Sequence, residues 1–448
     1  MTNDTLTLSS AFPPAQEADW LKAVEQALKG GGPDRLTRKT PEGLAVKPLY
    51  REPDFPSATD PLGQPGAAPF LRGPSPRRDP HLPWDIRQVF TTPAPTAANT
   101  EILADLKGGV SSVELRIDPT GEAGVAIHDQ AGLESALNGV LAHIAPIALD
   151  HLDGPGLKAA ALLADWASRQ AAPEAARLAF NLDPLGALAR TGLLEDGIDA
   201  AHRRTAALTE TLALRFPKAS ILRIDARPVH EAGGGEAQEL AALIAQAVDL
   251  LRRLAAHGIT PAFAVPRLVF TLAVDANYGV GIAKLRAARR LWARCLEAME
   301  IDAHPMVLQA VTSMRMLSRY DAWVNMLRNT GACFAAAVGG ADIVTVRAFN
   351  EALGTPDGLG RRIARNTQII AMEESHLGKV ADPAGGAWFT ETVAETLAQA
   401  AWEEFQRIEA EGGYGESLLQ DAFQARIAAT RQARQTDIAR RKIELTGV

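Results

Sequence analysis

From Trp84 onward the apolar and polar positions fall into one repeating arrangement. Short apolar runs at 84–90, 113–118, 147–151, 177–181, 221–226, 268–274, 306–312 and 342–347 alternate with longer stretches. In the longer stretches, such as 131–143, 235–256, 276–299 and 318–337, apolar residues recur with helical spacing. A short apolar run suits a buried strand, and helical spacing suits an amphipathic helix. Eight strand–helix repeats predict a closed (β/α)8 barrel, an α/β TIM barrel. The same alternation also fits an open, doubly wound sheet.

The flanks read differently. Residues 16–29 predict a short helix with Trp20, Leu21, Val24 and Leu28 on one face and Gly30 to Gly32 ending it. A single apolar stripe must be covered by the barrel or by another chain. Residues 51–80 carry eight prolines and no helical period, which predicts an extended arm. As a free linker it would leave Phe55, Phe70 and Leu71 in water, so an arm that wraps a surface fits better. After the barrel, Val393, Leu397, Ala401, Phe405 and Ile408 mark a helix closed by Gly412 and Gly413. Residues 418–443 predict a basic helix, read as a solvated face or as a contact for an acidic partner. The expected organisation is therefore 1–83 (helix and subunit-contact arm), 84–390 (barrel) and 391–448 (C-terminal helices). Trp20, Val24, Leu28, Phe55, Phe70 and Leu71 are the candidate partner contacts.

Composition narrows the classes. At 448 residues the chain can hold one large barrel with extensions. Its net charge of −7 argues against nucleic acid as the main partner. Its two cysteines, Cys295 and Cys333, lie in unrelated helical segments without a CxxC or His-Cys spacing. That predicts a reducing, cytoplasmic setting and no structural zinc. No apolar run approaches the roughly 18 residues of a membrane span, and the N-terminus has neither the basic start nor the apolar core of a signal peptide.

Chemistry in such barrels sits at the C-terminal strand ends. Those ends place Val89, Phe90, Asp118, Asp150, His151, Asn181, Asp183, Asp225, Arg227, His230, Asp275, Thr312 and Arg347 around one mouth. Carboxylates and histidines together could hold a divalent metal and activate water, as in a metal-dependent barrel hydrolase. Against that, polar residues end most barrel strands, and the first strand lacks an HxH spacing. Gly233 to Gly235 precede an acidic helix with no basic residue to match a phosphate, so they read as a tight turn. Neither GxxxxGK[ST] nor GxSxG occurs. Asp302-Ala303-His304 has the Asp-x-His of cobalamin-binding domains but lacks the glycine that follows, and it precedes a barrel strand.

Several segments resemble the methylmalonyl-CoA mutase family. Pro83-Trp84-Asp85-Ile86-Arg87-Gln88 is similar to its PWxIRQ strand. Ala283-Lys284-Leu285-Arg286-Ala287-Ala288-Arg289 with Leu291-Trp292-Ala293 is similar to AKLRAARxLWA, and Arg362 to Gln368 to RIARNTQ. Glu373-Glu374-Ser375, Asp382-Pro383 and Gly385-Gly386-Ala387-Trp388 resemble the ES…DPxxGS segment, and Glu231-Ala232-Gly233 the end of GYHMQEAG. The front end, from Phe12 through Trp20, Val24 and Leu28 to Pro48-Leu49-Tyr50, is similar to the family's small subunits.

The resemblance implies a carbon-skeleton isomerase, converting (R)-methylmalonyl-CoA to succinyl-CoA with adenosylcobalamin, in which the coenzyme A chain threads the barrel. It also implies that the family's catalytic positions are replaced here. The tyrosine after IRQ is Val89, and the histidine of GYHMQEAG falls on Pro228. In the HSQTSG strand the histidine is Gln309 and the glutamine is Val311. The PTMY stretch that contacts coenzyme A reads Pro76-Arg77-Arg78-Asp79, and Arg203 is the nearest match for a substrate-binding arginine. The chain ends at Thr446-Gly447-Val448, where a linker to a cobalamin domain would start. The expectation is a non-catalytic β subunit with no catalytic, cofactor or metal site of its own, paired as a heterodimer with a catalytic α subunit that carries adenosylcobalamin. The alternative is a catalytic acyl-CoA mutase barrel served by a separately encoded cobalamin-binding subunit.

Overall fold

Alternation along each strand decides which side chains enter the barrel and which pack on the helices. The computed structural model describes residues 15–40, 43–55, 63–151 and 154–447. Phe12, the arm residues 56–62 and Val448 lie outside the described residues. The barrel strands are β1 (Asp85–Phe90), β2 (Ser112–Ile117), β3 (Ile147–His151), β4 (Leu178–Leu182), β5 (Ser220–Asp225), β6 (Leu268–Val274), β7 (Leu308–Thr312) and β8 (Ile343–Thr345). Each pairs in parallel with the next, and β8 closes on β1 with Ile343 opposite Asp85 and Thr345 opposite Arg87. The predicted closed barrel is therefore the observed one, and the open sheet is excluded.

Helices wrap the barrel and extend beyond it, among them α1 (Glu17–Ala27), α2 (Pro184–Thr191), α3 (Arg227–Glu231), α4 (Glu236–Ala256), α5 (Tyr278–Ala298), α6 (Val324–Val338), α7 (Gly358–Glu373), α8 (Trp388–Ala410), α9 (Tyr414–Leu419) and α10 (Ala422–Ala439). Outward strand residues such as Ile86, Phe90, Val113 and Leu115 are buried under this layer. α4 is buried on most of its circumference because α8 packs along it from outside.

Three helical expectations change at their ends, each for a local reason. The helix expected over 131–143 spans Gln130–Leu137, because Asn138 leaves helical geometry and Gly139 takes a φ of +76°. The helix expected from 318 starts at Val324, because the Ser318 hydroxyl accepts the backbone N–H of Tyr320 and Asp321 accepts that of Trp323. Such side-chain turns compete with helix. The C-terminal stretch breaks into α9 and α10 at Asp421, which has a φ of +56°.

The proline-rich arm lies on its own barrel. The Thr392 hydroxyl donates to the Asp54 carbonyl at 3.3 Å, Tyr50 meets Phe389 edge-on at 5.4 Å, and Arg72 Nε donates to Asp382 at 2.8 Å. Of the candidate partner contacts, Val24 and Leu71 are buried within the chain and are therefore corrected to internal packing residues. Trp20, Leu28, Phe55 and Phe70 are half-buried. The basic C-terminal helix is also partly engaged: Arg426 pairs with Glu404 and Glu411 of this chain.

Candidate functional site at the barrel mouth

Inward positions of a TIM barrel are ordinarily filled by bulky branched apolar residues. Here several of them are charged. Arg87 on β1 donates to Ser112 at 2.9 Å and to the Gln309 carbonyl oxygen at 3.3 Å. The Gln309 amide on β7 then donates to Glu114 at 2.8 Å and to Thr345 at 3.1 Å. Since β2 and β7 are not neighbours in the sheet, the Gln309–Glu114 bond crosses the barrel interior. Nearer the mouth, Asp150 on β3 accepts from Arg116 at 2.7 Å and from Arg223 on β5 at 3.0 Å. Arg223 is 1% exposed.

The strand-end carboxylates each have a local partner. Asp225 receives Arg227 through two bonds, of 2.8 and 2.7 Å, a charge-assisted fork of the strong kind. Asp183 caps α2 through Gly186 N at 2.7 Å and takes the Gln246 amide at 2.7 Å. Asp118 accepts the backbone N–H groups of Thr120 and Ala123 in its own turn. Burial pushes the carboxyls of Asp150 and Asp225 upward, but the surrounding guanidiniums more than offset that and hold both below their ordinary value. Among the described residues, the mouth acids Asp118, Asp150, Asp183 and Asp225 are therefore engaged by arginines, an amide or backbone N–H groups rather than left free for a metal.

One grouping has metal-ligand proximity among the described residues: His230, Glu236 and Glu239, with ligand atoms within 4.8 Å of one another. Lys284 stands at this cluster, donating to Glu239 at 2.8 Å and also to Glu236. Its ammonium supplies the positive charge that a cation would bring. His230 Nε2 is 2.7 Å from the Ser313 hydroxyl, and its Nδ1 is 3.2 Å from Glu239 without hydrogen-bond alignment. The order serine–histidine–carboxylate is that of a nucleophilic relay, but Ser313 is fully buried and Glu239 is paired to Lys284. The arrangement reads as a brace between α3, α4, α5 and the end of β7.

The four positions that the resemblance aligns with family catalytic residues have defined places. Gln309 and Val311 are buried on the inward face of β7, and Val89 is half-buried two residues beyond Arg87 on β1. Pro228 lies in the first turn of α3, where a missing N–H costs little. Arg203 is corrected: it is exposed on the outer helix Gly197–Arg215, not at the mouth. His304 precedes β7, at the foot of the barrel, with its Nδ1 3.0 Å from the Pro305 carbonyl. The residues that fill the interior, Arg87, Glu114, Arg116 and Arg223, were not among the predicted site residues. The available signal was charge at alternate positions inside apolar runs, as in Glu114 and Arg116 or Arg223 and Asp225.

His151 gives this network a pH signature. Its Nε2 is 3.0 Å from the Phe180 carbonyl, and burial, reinforced by Arg223, lowers its pKa from 6.5 to about 4. A histidine held below its unfolded value stabilises the neutral-pH fold fully above about 6.5, and that contribution is lost as pH falls toward about 4. Stability should therefore fall by about 3 kcal/mol over that window from this group. His151→Asn, which keeps a side-chain donor for Phe180, should flatten that part of a urea-midpoint profile. A variant profile as steep as the wild-type one would refute the assignment.

Comparisons with known proteins agree with this architecture. A family model described as methylmalonyl-CoA mutase matches residues 39–448. The methylmalonyl-CoA mutase small subunit of Streptomyces virginiae is 41% identical over 457 residues, covering 100% of this chain and 72% of that one. The small subunit from Propionibacterium freudenreichii subsp. shermanii is 33% identical, covering 100% of this chain and 70% of that one. The mitochondrial methylmalonyl-CoA mutase of Bos taurus is 30% identical, covering 93% of this chain and 58% of that one.

Proposed function

The chain belongs to the methylmalonyl-CoA mutase family, and on that footing we propose that it is a non-catalytic small subunit, working as a heterodimer with a catalytic chain that carries adenosylcobalamin. The observation that carries this reading is the filled barrel interior. An acyl-CoA thioester that threads the axis would have to displace Gln309, Glu114, Arg87 and the Arg223–Asp150 pair, all held by hydrogen bonds. Removing partners from buried charges is costly.

The replaced positions support the same reading. A phenol, two imidazoles and an amide are what an oriented polar site would use to hold a thioester. Val89 and Val311 have no polar side-chain atom, Pro228 lacks even the N–H, and Gln309 is already engaged. The residues do not fit cobalamin either. His304, the histidine of the Asp-x-His pair, lies at the foot of the barrel, away from the mouth.

A role in an assembly accounts for exposed apolar surface. Trp323, at the N-cap of α6, and Leu327, one turn into it, are 61% and 73% exposed, with Tyr320 beside them in sequence at 88%. Apolar surface of this kind is ordinarily covered by a partner. The test is co-expression with a catalytic chain of the family, followed by native mass measurement. A one-to-one complex is expected, weakened by Trp323→Glu. A chain that stays alone in the presence of every such partner would end the proposal.

A further inference from the structure

The helix Gln130–Leu137 ends in a turn that carries the one asparagine of the sequence followed by glycine, Asn138-Gly139. Asn138 has φ −56° and ψ 127°, Gly139 has φ +76°, and the Val140 N–H donates to the Leu137 carbonyl at 3.0 Å. This is a type II turn, which needs a left-handed residue at its third position. The turn thus explains Gly139. It does not require Asn138, whose side chain has no hydrogen-bond partner among the described residues.

Both residues are exposed, and the Gly139 N–H has no acceptor among the described residues. A backbone nitrogen with no Cβ on its own residue to crowd it therefore stands in water next to a primary amide, and asparagine is a thermolabile residue. The Gly139 nitrogen attacks the side-chain carbonyl carbon of Asn138. A C–N bond forms, the Asn138 amide nitrogen leaves as ammonia with the Gly139 proton, and a five-membered imide remains. Water then opens the ring at either carbonyl and leaves aspartate or isoaspartate.

One contact opposes this step. The Asn99 amide, on the helix Pro95–Lys107, donates to the Ala136 carbonyl at 3.0 Å and to the Asn138 carbonyl at 2.8 Å. Ring closure swings the Gly139 nitrogen toward the Asn138 side chain by rotation about ψ. The same rotation turns the Asn138 carbonyl out of its bond with Asn99. The contact therefore holds ψ at 127°, away from the closed-ring geometry.

We infer that Asn138-Gly139 is a site of spontaneous deamidation and that Asn99 is the positioning residue that sets its rate. The product carries a new carboxylate at the negative end of the helix dipole, one turn after Glu134, so it loosens this helix end. Isoaspartate also lengthens the main chain within the turn.

The test incubates the full chain at neutral and at mildly alkaline pH, samples it over days and maps its peptides by mass, with isoaspartyl methyltransferase labelling for the isomer. Aspartate and isoaspartate should accumulate at Asn138 ahead of Asn277, which is exposed but precedes Tyr278. Conversion should be faster at the higher pH, where the Gly139 nitrogen gives up its proton more readily. In Asn99→Ala the Asn138 rate should rise about two- to tenfold, the worth of one hydrogen bond, with the Asn277 rate unmoved. A general loosening would speed both. No more conversion at Asn138 than at Asn277 overturns the site. An Asn138 rate that is unchanged in a folded Asn99→Ala variant, or that rises only together with Asn277, overturns the role of Asn99. If that variant does not fold, Asn99→Asp, which keeps the size but loses the donor, decides by the same comparison.

Discussion

Replacing Lys284 by methionine should lower the unfolding free energy by about 3–5 kcal/mol near neutral pH, read as a fall in the urea midpoint. Lys284 is 1% exposed and bonds two acids on α4, Glu236 and Glu239. Methionine fills similar space but leaves both carboxylates buried without their cation. In the wild-type chain, burial raises Glu239 but Lys284 and His230 outweigh it, bringing its pKa from 4.5 to about 2. The sign follows from that depression. Glu239 contributes stability that is complete above its unfolded value of 4.5 and is lost as pH falls toward about 2. Without Lys284 the balance reverses, and burial favours the protonated acids. The cost of the substitution should therefore shrink as the solution is acidified toward about pH 5. Urea midpoints for both proteins at the two pH values decide it. A loss below about 1 kcal/mol at neutral pH, or one that grows on acidification, would show that the pair is not the brace described here.

The same residue shows what was legible in the chain. Lys284 belongs to the AKLRAAR segment that carried the family resemblance, and its work is structural. So is that of the neighbouring motifs. Arg286 joins α5 to Asp382 of the DPxxG segment, and Arg289 closes the end of α6. Trp84 donates to Gln368 at 3.2 Å, linking PWxIRQ to RIARNTQ, and Arg365 from the latter pairs with Asp105 at 3.1 Å. These motifs hold the barrel's outer layer in place, so they identify the family without reporting on activity. The strands were legible because each is a short apolar run: 306–312 against Leu308–Thr312, or 342–347 against Ile343–Thr345. The contents of the barrel were not. Arg223 meets Asp150 across 73 residues of sequence, and Gln309 meets Glu114 across 195. No local period encodes a contact between strands that are not neighbours. Charge at inward positions was visible, but its pairing, which turns a mouth full of acids into a closed ionic network, needs the closed barrel.

Restoring the four family side chains should not restore the reaction. With Val89→Tyr, Pro228→His, Gln309→His and Val311→Gln combined, the chain alone should give no succinyl-CoA from (R)-methylmalonyl-CoA in the presence of adenosylcobalamin. Each oriented donor or general acid is worth roughly 10²–10⁴-fold in rate when the reacting group can reach it. Reach is what the variant still lacks. Arg223 remains bound to Asp150, and Arg116 reaches the same carboxylate at 2.7 Å. Gln309→His also removes the amide that satisfies Glu114, leaving a buried carboxylate short of a donor at a cost of about 1–3 kcal/mol. The variant should thus be less stable and no more active. Paired with a catalytic chain, by contrast, the wild-type and four-fold variants should support turnover within about twofold of each other, as expected if every reacting group belongs to the partner. Both arms read the same product. Turnover by the variant alone above roughly one thousandth of the complex's rate would mean that space was never the obstacle. The non-catalytic reading would then reduce to four side chains rather than to a filled barrel.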